Sequence, residues 1–140
     1  MIALRLVLDT NIVVSAALKP DGLQRTVWVI AMTRPAQLYV TKNVLAEYRD
    51  VLARPEFEIS KGHQLQVFQM LKNRARIVKL ARALRVAKDP DDDMFLECAE
   101  AARADYLITG NPRHFPKFWR NTKVITSREF ISIVAPHFIR

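Results

Sequence analysis

Short, nearly continuous apolar runs alternate along this chain with longer segments whose apolar residues recur every three or four positions, and few folds accept that alternation. The first run, Ile2-Ala3-Leu4-Arg5-Leu6-Val7-Leu8, is interrupted only by Arg5 and ends at Asp9-Thr10-Asn11. It has the pattern of a strand buried on both faces of a parallel sheet. Pro20-Asp21-Gly22 breaks the chain, and Leu23, Val27, Ile30 and Ala31 then predict a first helix. Leu38-Tyr39-Val40 is a brief strand-like run. The stripe Val44, Tyr48, Val51, Leu52 follows it as a helix that stops at Arg54-Pro55.

The alternation continues to the end of the chain. Leu65, Phe68 and Leu71 mark a further helix, and Arg76-Ile77-Val78 a short strand. Pro90 precedes a helix carrying Phe95, Cys98, Ala99 and Ala102, and Tyr106-Leu107-Ile108-Thr109 reads as another strand. Val124-Ile125 is a last, weak strand. The Thr126-Ser127-Arg128-Glu129 that follows fits a capping box, in a helix closed by Pro136. Strands alternating with helices predict a three-layer α/β/α fold with a central parallel sheet, in one domain over residues 1–140. In such sheets ligands gather outside the carboxyl ends of the strands.

Acidic residues lie at those ends. Asp9 closes the first strand, Glu47 sits in the helix after the second, and Asp89-Pro90-Asp91-Asp92-Asp93 opens the helix before the fourth. Asn111 follows the Thr109-Gly110 step that ends the fourth strand. One or two acids at a helix N-terminus are explained by the macrodipole, worth about 0.3–1 kcal/mol each. Four within a five-residue stretch are harder to explain, because unit charges about 4 Å apart repel by roughly 4 kcal/mol at an effective dielectric of 20. A hard divalent cation relieves that repulsion, and all-oxygen ligand sets select Mg²⁺ or Mn²⁺. Asp89, Asp91, Asp93 and Glu100 also match ligand positions of an EF-hand loop, but Met94 stands where that loop requires glycine and Met94–Ala99 reads as helix. An aspartyl-phosphate phosphatase would want a second aspartate where Asn11 stands.

The ordered set Leu6-Val7-Leu8-Asp9-Thr10-Asn11, Glu47 within Leu45–Leu52, Asp89–Asp93 with Phe95-Leu96-Glu97, and Ala104–Asn111 resembles the PIN-domain family, including the VapC-type toxins of toxin–antitoxin pairs. The resemblance implies a Mg²⁺- or Mn²⁺-dependent endoribonuclease acting on single-stranded RNA. It also implies an antitoxin partner and a homodimer with a joint substrate groove. It assigns the metal to Asp9, Glu47 and Asp93, with Asp92, one residue away and facing differently on the helix, as the alternative. The fourth family acid falls on Asn111, a neutral amide, so a weaker second metal site is expected. Asn11 and Thr109 are expected to orient the carboxylates, although Thr10 and Asn11 equally suit a helix start. A non-catalytic, nucleic-acid-binding module that keeps the fold is the competing reading, and Asn111 is the feature that favours it.

The charge balance agrees with a polyanionic partner: Lys plus Arg exceed Asp plus Glu to give +8. Arg113, His114 and Lys117, directly after Asn111, are candidate RNA-gripping residues, with His114 a possible proton donor to the leaving oxygen. Lys72 to Lys88 holds seven bases and no acid, and Lys79, Arg82 and Arg85 would share one edge of a helix there. That run suits a phosphate backbone, a solvated face or an antitoxin surface. The single cysteine, Cys98, reads as a buried hydrophobe and excludes an internal disulfide. With no apolar run near the roughly 20 residues of a membrane span, a cytoplasmic protein is expected.

Overall fold

The computed structural model describes residues 3–136, so Ile2, which opens the first predicted strand, lies outside the described residues. Strands β1 (Arg5–Leu8), β2 (Gln37–Val40), β3 (Arg76–Ile77), β4 (Tyr106–Ile108), β5 (Phe118–Trp119) and β6 (Thr122–Ile125) form one sheet in the order β3-β2-β1-β4-β6-β5. The first five strands in that order pair in parallel, and β5 pairs with β6 antiparallel. The sheet is therefore mostly parallel, with a short hairpin added at one edge that is too brief to leave a periodic signal. Helices α1 (Thr10–Leu18), α2 (Leu23–Ala31), α3 (Lys42–Leu52), α4 (Lys61–Arg74), α5 (Asp93–Ala102) and α6 (Ser127–Val134) flank it.

The core runs through the sheet. Leu6, Val7, Leu8, Leu38, Leu107 and Ile108 are all fully buried, each worth roughly 1.5–3 kcal/mol relative to exposure. In α3 the stripe Val44, Tyr48, Val51, Leu52 is the buried face, and the Thr41 side chain caps its start by accepting from the Val44 amide at 3.2 Å. The capping box of α6 is present with Thr126 and Glu129 as its two members. Helix α1 lacks a sequence signature because Ile12, Val13, Val14 and Ala16 are buried around most of its circumference, leaving no polar face to set a period.

Two features position the site. The chain builds β1, β2 and β3 outward in one direction and then returns to lay β4 on the other side of β1. The crevice at this reversal, between the carboxyl ends of β1 and β4, is the topological switch point where α/β sheets bind ligands.

The second feature corrects an expectation. Residues 78–86 are not helical, so Lys79, Arg82 and Arg85 share no helical edge. Their segment runs extended along α5 and is fastened by acids on that helix. The Arg82 guanidinium lies 2.9 Å from both carboxylate oxygens of Glu100, the Leu84 amide donates to Glu97 Oε2 (2.9 Å), and the Val86 and Ala87 amides donate to Asp93 Oδ1 (2.9 and 2.7 Å).

Candidate active site

Asp9 stands at the switch point, where it both ends β1 and caps α1. Its amide donates to the Ile108 carbonyl of β4 at 2.9 Å, and its Oδ1 accepts from the Thr10 amide at 2.7 Å. The other oxygen, Oδ2, accepts from the Thr109 hydroxyl at 2.7 Å and from Asn11 Nδ2 at 3.3 Å. Asn11 Oδ1 in turn accepts from the Gly110 amide at 3.1 Å, and Thr109 Oγ1 accepts from the Asn111 amide at 2.9 Å. A Cβ on Gly110 would press on Asn11, its nearest atom 3.4 Å away. Asn11 and Thr109 thus orient Asp9, while Thr10 Oγ1 is buried with no hydrogen-bond partner among the described residues.

Burial pushes the Asp9 carboxyl above its ordinary range. Thr109, the Thr10 amide and the nearby charge of His114 pull it back, whereas Glu47 pushes in the same direction as burial. Asp92 is also raised, by burial first and then by the charges of Asp9 and Asp89, with His114 opposing. His114 Nδ1 lies 3.5 Å from Asp92 Oδ2. Asp9, Glu47, Asp92 and His114 therefore share one electrostatic neighbourhood.

Glu47 reaches it because α3 is pinned to the end of β1 by its neighbour Tyr48. That side chain is fully buried, and its hydroxyl donates to the Leu8 carbonyl. Burial raises the Tyr48 phenol well above its ordinary value, so it remains a donor. Sequence reasoning assigned Tyr48 to the core stripe only; a tyrosine beside a candidate acid on a buried stripe is the signal that marks such a pin.

The other candidates are placed as follows. Asp93 is buried at 5% exposure, and its Oδ1 is taken up by the Val86 and Ala87 amides. Asn111 brings its backbone amide to the network, but its side chain caps nothing in the turn it opens. Arg113 and Lys117 are exposed in the following segment, and no carboxylate lies within 4.0 Å of either among the described residues. Cys98 is fully buried, and burial pushes its thiol up to about 12. Residues Met94–Ala99 are helical, which removes the EF-hand alternative.

All-oxygen donors from three chain segments, with the carboxyls of Asp9 and Asp92 both raised, suit a hard dication. Among the described residues no three His, Cys, Asp or Glu side chains stand close enough together to hold a metal ion between them. A site of this kind needs fewer than three, since Mg²⁺ commonly keeps several waters and takes only one or two carboxylates.

Comparison with known proteins bears on the family and the fold. A family model described as PIN domain matches residues 5–113. A relative from Methanocaldococcus jannaschii, the uncharacterized protein MJ1680, is 24% identical over 142 residues, 93% of this chain and 91% of the relative. Among solved structures, VapBC2 from Rickettsia felis, bound to a DNA fragment from its promoter, superposes with a TM-score of 0.57. That match is 16% identical and covers 87% of this chain and 98% of the other, a likeness of fold.

Proposed function

The chain belongs to the PIN domain family, whose members are generally nucleases, and on that premise we propose that it is a divalent-metal-dependent endoribonuclease of single-stranded RNA. The observation that carries this reading is the desolvated Asp9 carboxylate, fixed at the switch point by Thr109 and Thr10 with the charges of Glu47 and Asp92 beside it. Asp9, Glu47 and Asp92 would hold the ion. Asp92 is preferred over Asp93 for this role because Asp93 Oδ1 already accepts two backbone amides. A bound Mg²⁺ or Mn²⁺ supplies charge to polarise the scissile phosphate and acidify a water for in-line attack.

The remaining steps belong to the chain itself. Asn11 and Thr109 hold the Asp9 oxygens in place, and Glu47 orients the attacking water. His114 holds a proton on the leaving-oxygen side, and Arg113 and Lys117 bind the flanking phosphates. A toxin role with an antitoxin partner is supported by the fold shared with VapBC2; the homodimer and the cytoplasmic setting are proposed from the family resemblance alone. No helix among the described residues is long and apolar enough to cross a membrane.

Cleavage of single-stranded RNA with Mn²⁺, with EDTA, and by Asp9→Asn tests the proposal. Cleavage is expected in the first case only, and equal cleavage in all three would sink it. Asn111 and its unengaged side chain favour a second reading, a nucleic-acid-binding module without catalysis. RNA binding with no cleavage under any condition is that reading's signature.

A further inference from the structure

Helix α5 presents Asp93, Glu97 and Glu100 along one face, at the spacing that stacks side chains on a helix, and all three bind one neighbouring segment. That neighbour is the extended segment 82–88, held by the three backbone amides and the Arg82 pair already described and by the buried Leu84 side chain. Glu100 also accepts from Trp119 Nε1 at 3.1 Å and from Arg120 Nε at 3.3 Å, which ties the β5–β6 hairpin to the same anchor. The longer stretch 78–88 that contains this segment is tied at both ends near the carboxyl edge of the sheet. The Val78 amide donates to the Val40 carbonyl at the end of β2 (2.8 Å), and the Lys88 amide donates to the His114 carbonyl (3.3 Å).

Fastening of this kind leaves a particular set of charges unspent. Arg82 is neutralised by Glu100, whereas Lys79, Arg85 and Lys88 are exposed and have no carboxylate within 4.0 Å among the described residues. An extended chain advances at most about 3.3–3.6 Å per residue, so these cations form a line rather than a cluster. The line finishes at His114, whose ring stands beside Asp92. We infer that residues 79–88 are a fixed rail for the phosphates of single-stranded RNA leading into the carboxylate pole, and that Asp93, Glu97 and Glu100 are positioning residues that hold the rail in place.

The inference rests on the nuclease reading and adds a substrate path to it. A linear array beside the reacting pole suits a strand better than a globular acidic partner, which would meet a compact patch.

The test is the salt dependence of binding to an oligouridine of about twelve nucleotides, a length within single-strand site sizes, measured in an Asp9→Asn background to prevent cleavage. Lys79→Ala/Arg85→Ala/Lys88→Ala keeps every fastening contact in place. Each lost phosphate contact reduces the slope of log K against log salt by about 0.7 on single strands, so the triple variant should lose about 2. Lys42→Ala/Lys61→Ala/Lys72→Ala removes the same charge from α3 and α4 and should leave the slope near the parent's.

Equal slopes in the two triple variants would overturn the rail while leaving the nuclease proposal standing. No oligouridine binding by the parent, together with no RNA cleavage by the wild-type chain, would overturn both. An unchanged oligouridine slope with lost binding to polyglutamate would assign the strip to an acidic protein and overturn the inference.

Discussion

Replacing Thr109 with valine removes one hydroxyl from a fully buried side chain, and that hydroxyl has two defined partners. It donates to Asp9 Oδ2 at 2.7 Å and accepts from the Asn111 amide at 2.9 Å. A hydrogen bond to an ionised group contributes about 1.5–3 kcal/mol and a neutral one about 1 kcal/mol, so Thr109→Val should cost about 2–4 kcal/mol at neutral pH. Most of that loss belongs to the ionised form of Asp9. The Thr109 bond holds the Asp9 carboxyl down against burial, so without it the carboxyl rises further above its ordinary range. The variant's folded state then takes up its proton at higher pH than the wild type's, and the stability gap between the two narrows as pH falls through that titration. Urea unfolding in EDTA, at about pH 7 and again at about pH 4, reads both quantities. A loss under about 1 kcal/mol, or a loss identical at the two pH values, would refute the reasoning.

Tyr48→Phe should cost about 1–2 kcal/mol, because the Leu8 carbonyl loses a fully buried donor. It should also slow RNA cleavage by loosening the helix that carries Glu47; unchanged melting and activity together would contradict the pin. Cys98, fully buried with its thiol pushed up to about 12, should resist a disulfide reagent in native buffer and react once unfolded in urea. Reaction at the same rate in both would place it at the surface. Hydrogen bonds from Arg82, Arg120 and Trp119 hold the Glu100 carboxyl down at about 2, below its ordinary 4.5. The clasp's contribution is therefore complete above the ordinary carboxylate range and is lost as pH falls toward about 2. Trp119 fluorescence in a Trp28→Phe background should report that opening, and a transition centred above about pH 5 would be incompatible with a carboxyl held low.

Much of the architecture is legible in the sequence because buried parallel strands write themselves as short apolar runs, and Leu6-Val7-Leu8 with Asp9 at its end is the plainest example. The stripe of α3 and the capping box of α6 are equally direct, since each depends on residues within a few positions of one another. Three features were not legible, each for a physical reason. Helix α1 is buried around most of its circumference and so carries no stripe. The segment 78–86 has cations at helical spacing, but its conformation is set by acids on α5 that satisfy its amides in place of helical carbonyls. Under the proposed function the preference for Asp92 over Asp93 turns on the Val86 and Ala87 amides, which lie outside the acidic motif and before it in the chain. Local spacing cannot resolve two neighbours on a helix when the deciding partner arrives from elsewhere.

Asp9 precedes its clamp by 100 residues: the hydroxyl that holds it comes from Thr109, just past a strand that must slot in beside β1. A nascent chain from which that strand has not yet emerged carries the acid with only its neighbours Thr10 and Asn11 to bond it. On the proposed function, a nuclease built this way stays idle until residues 9 and 109 have met.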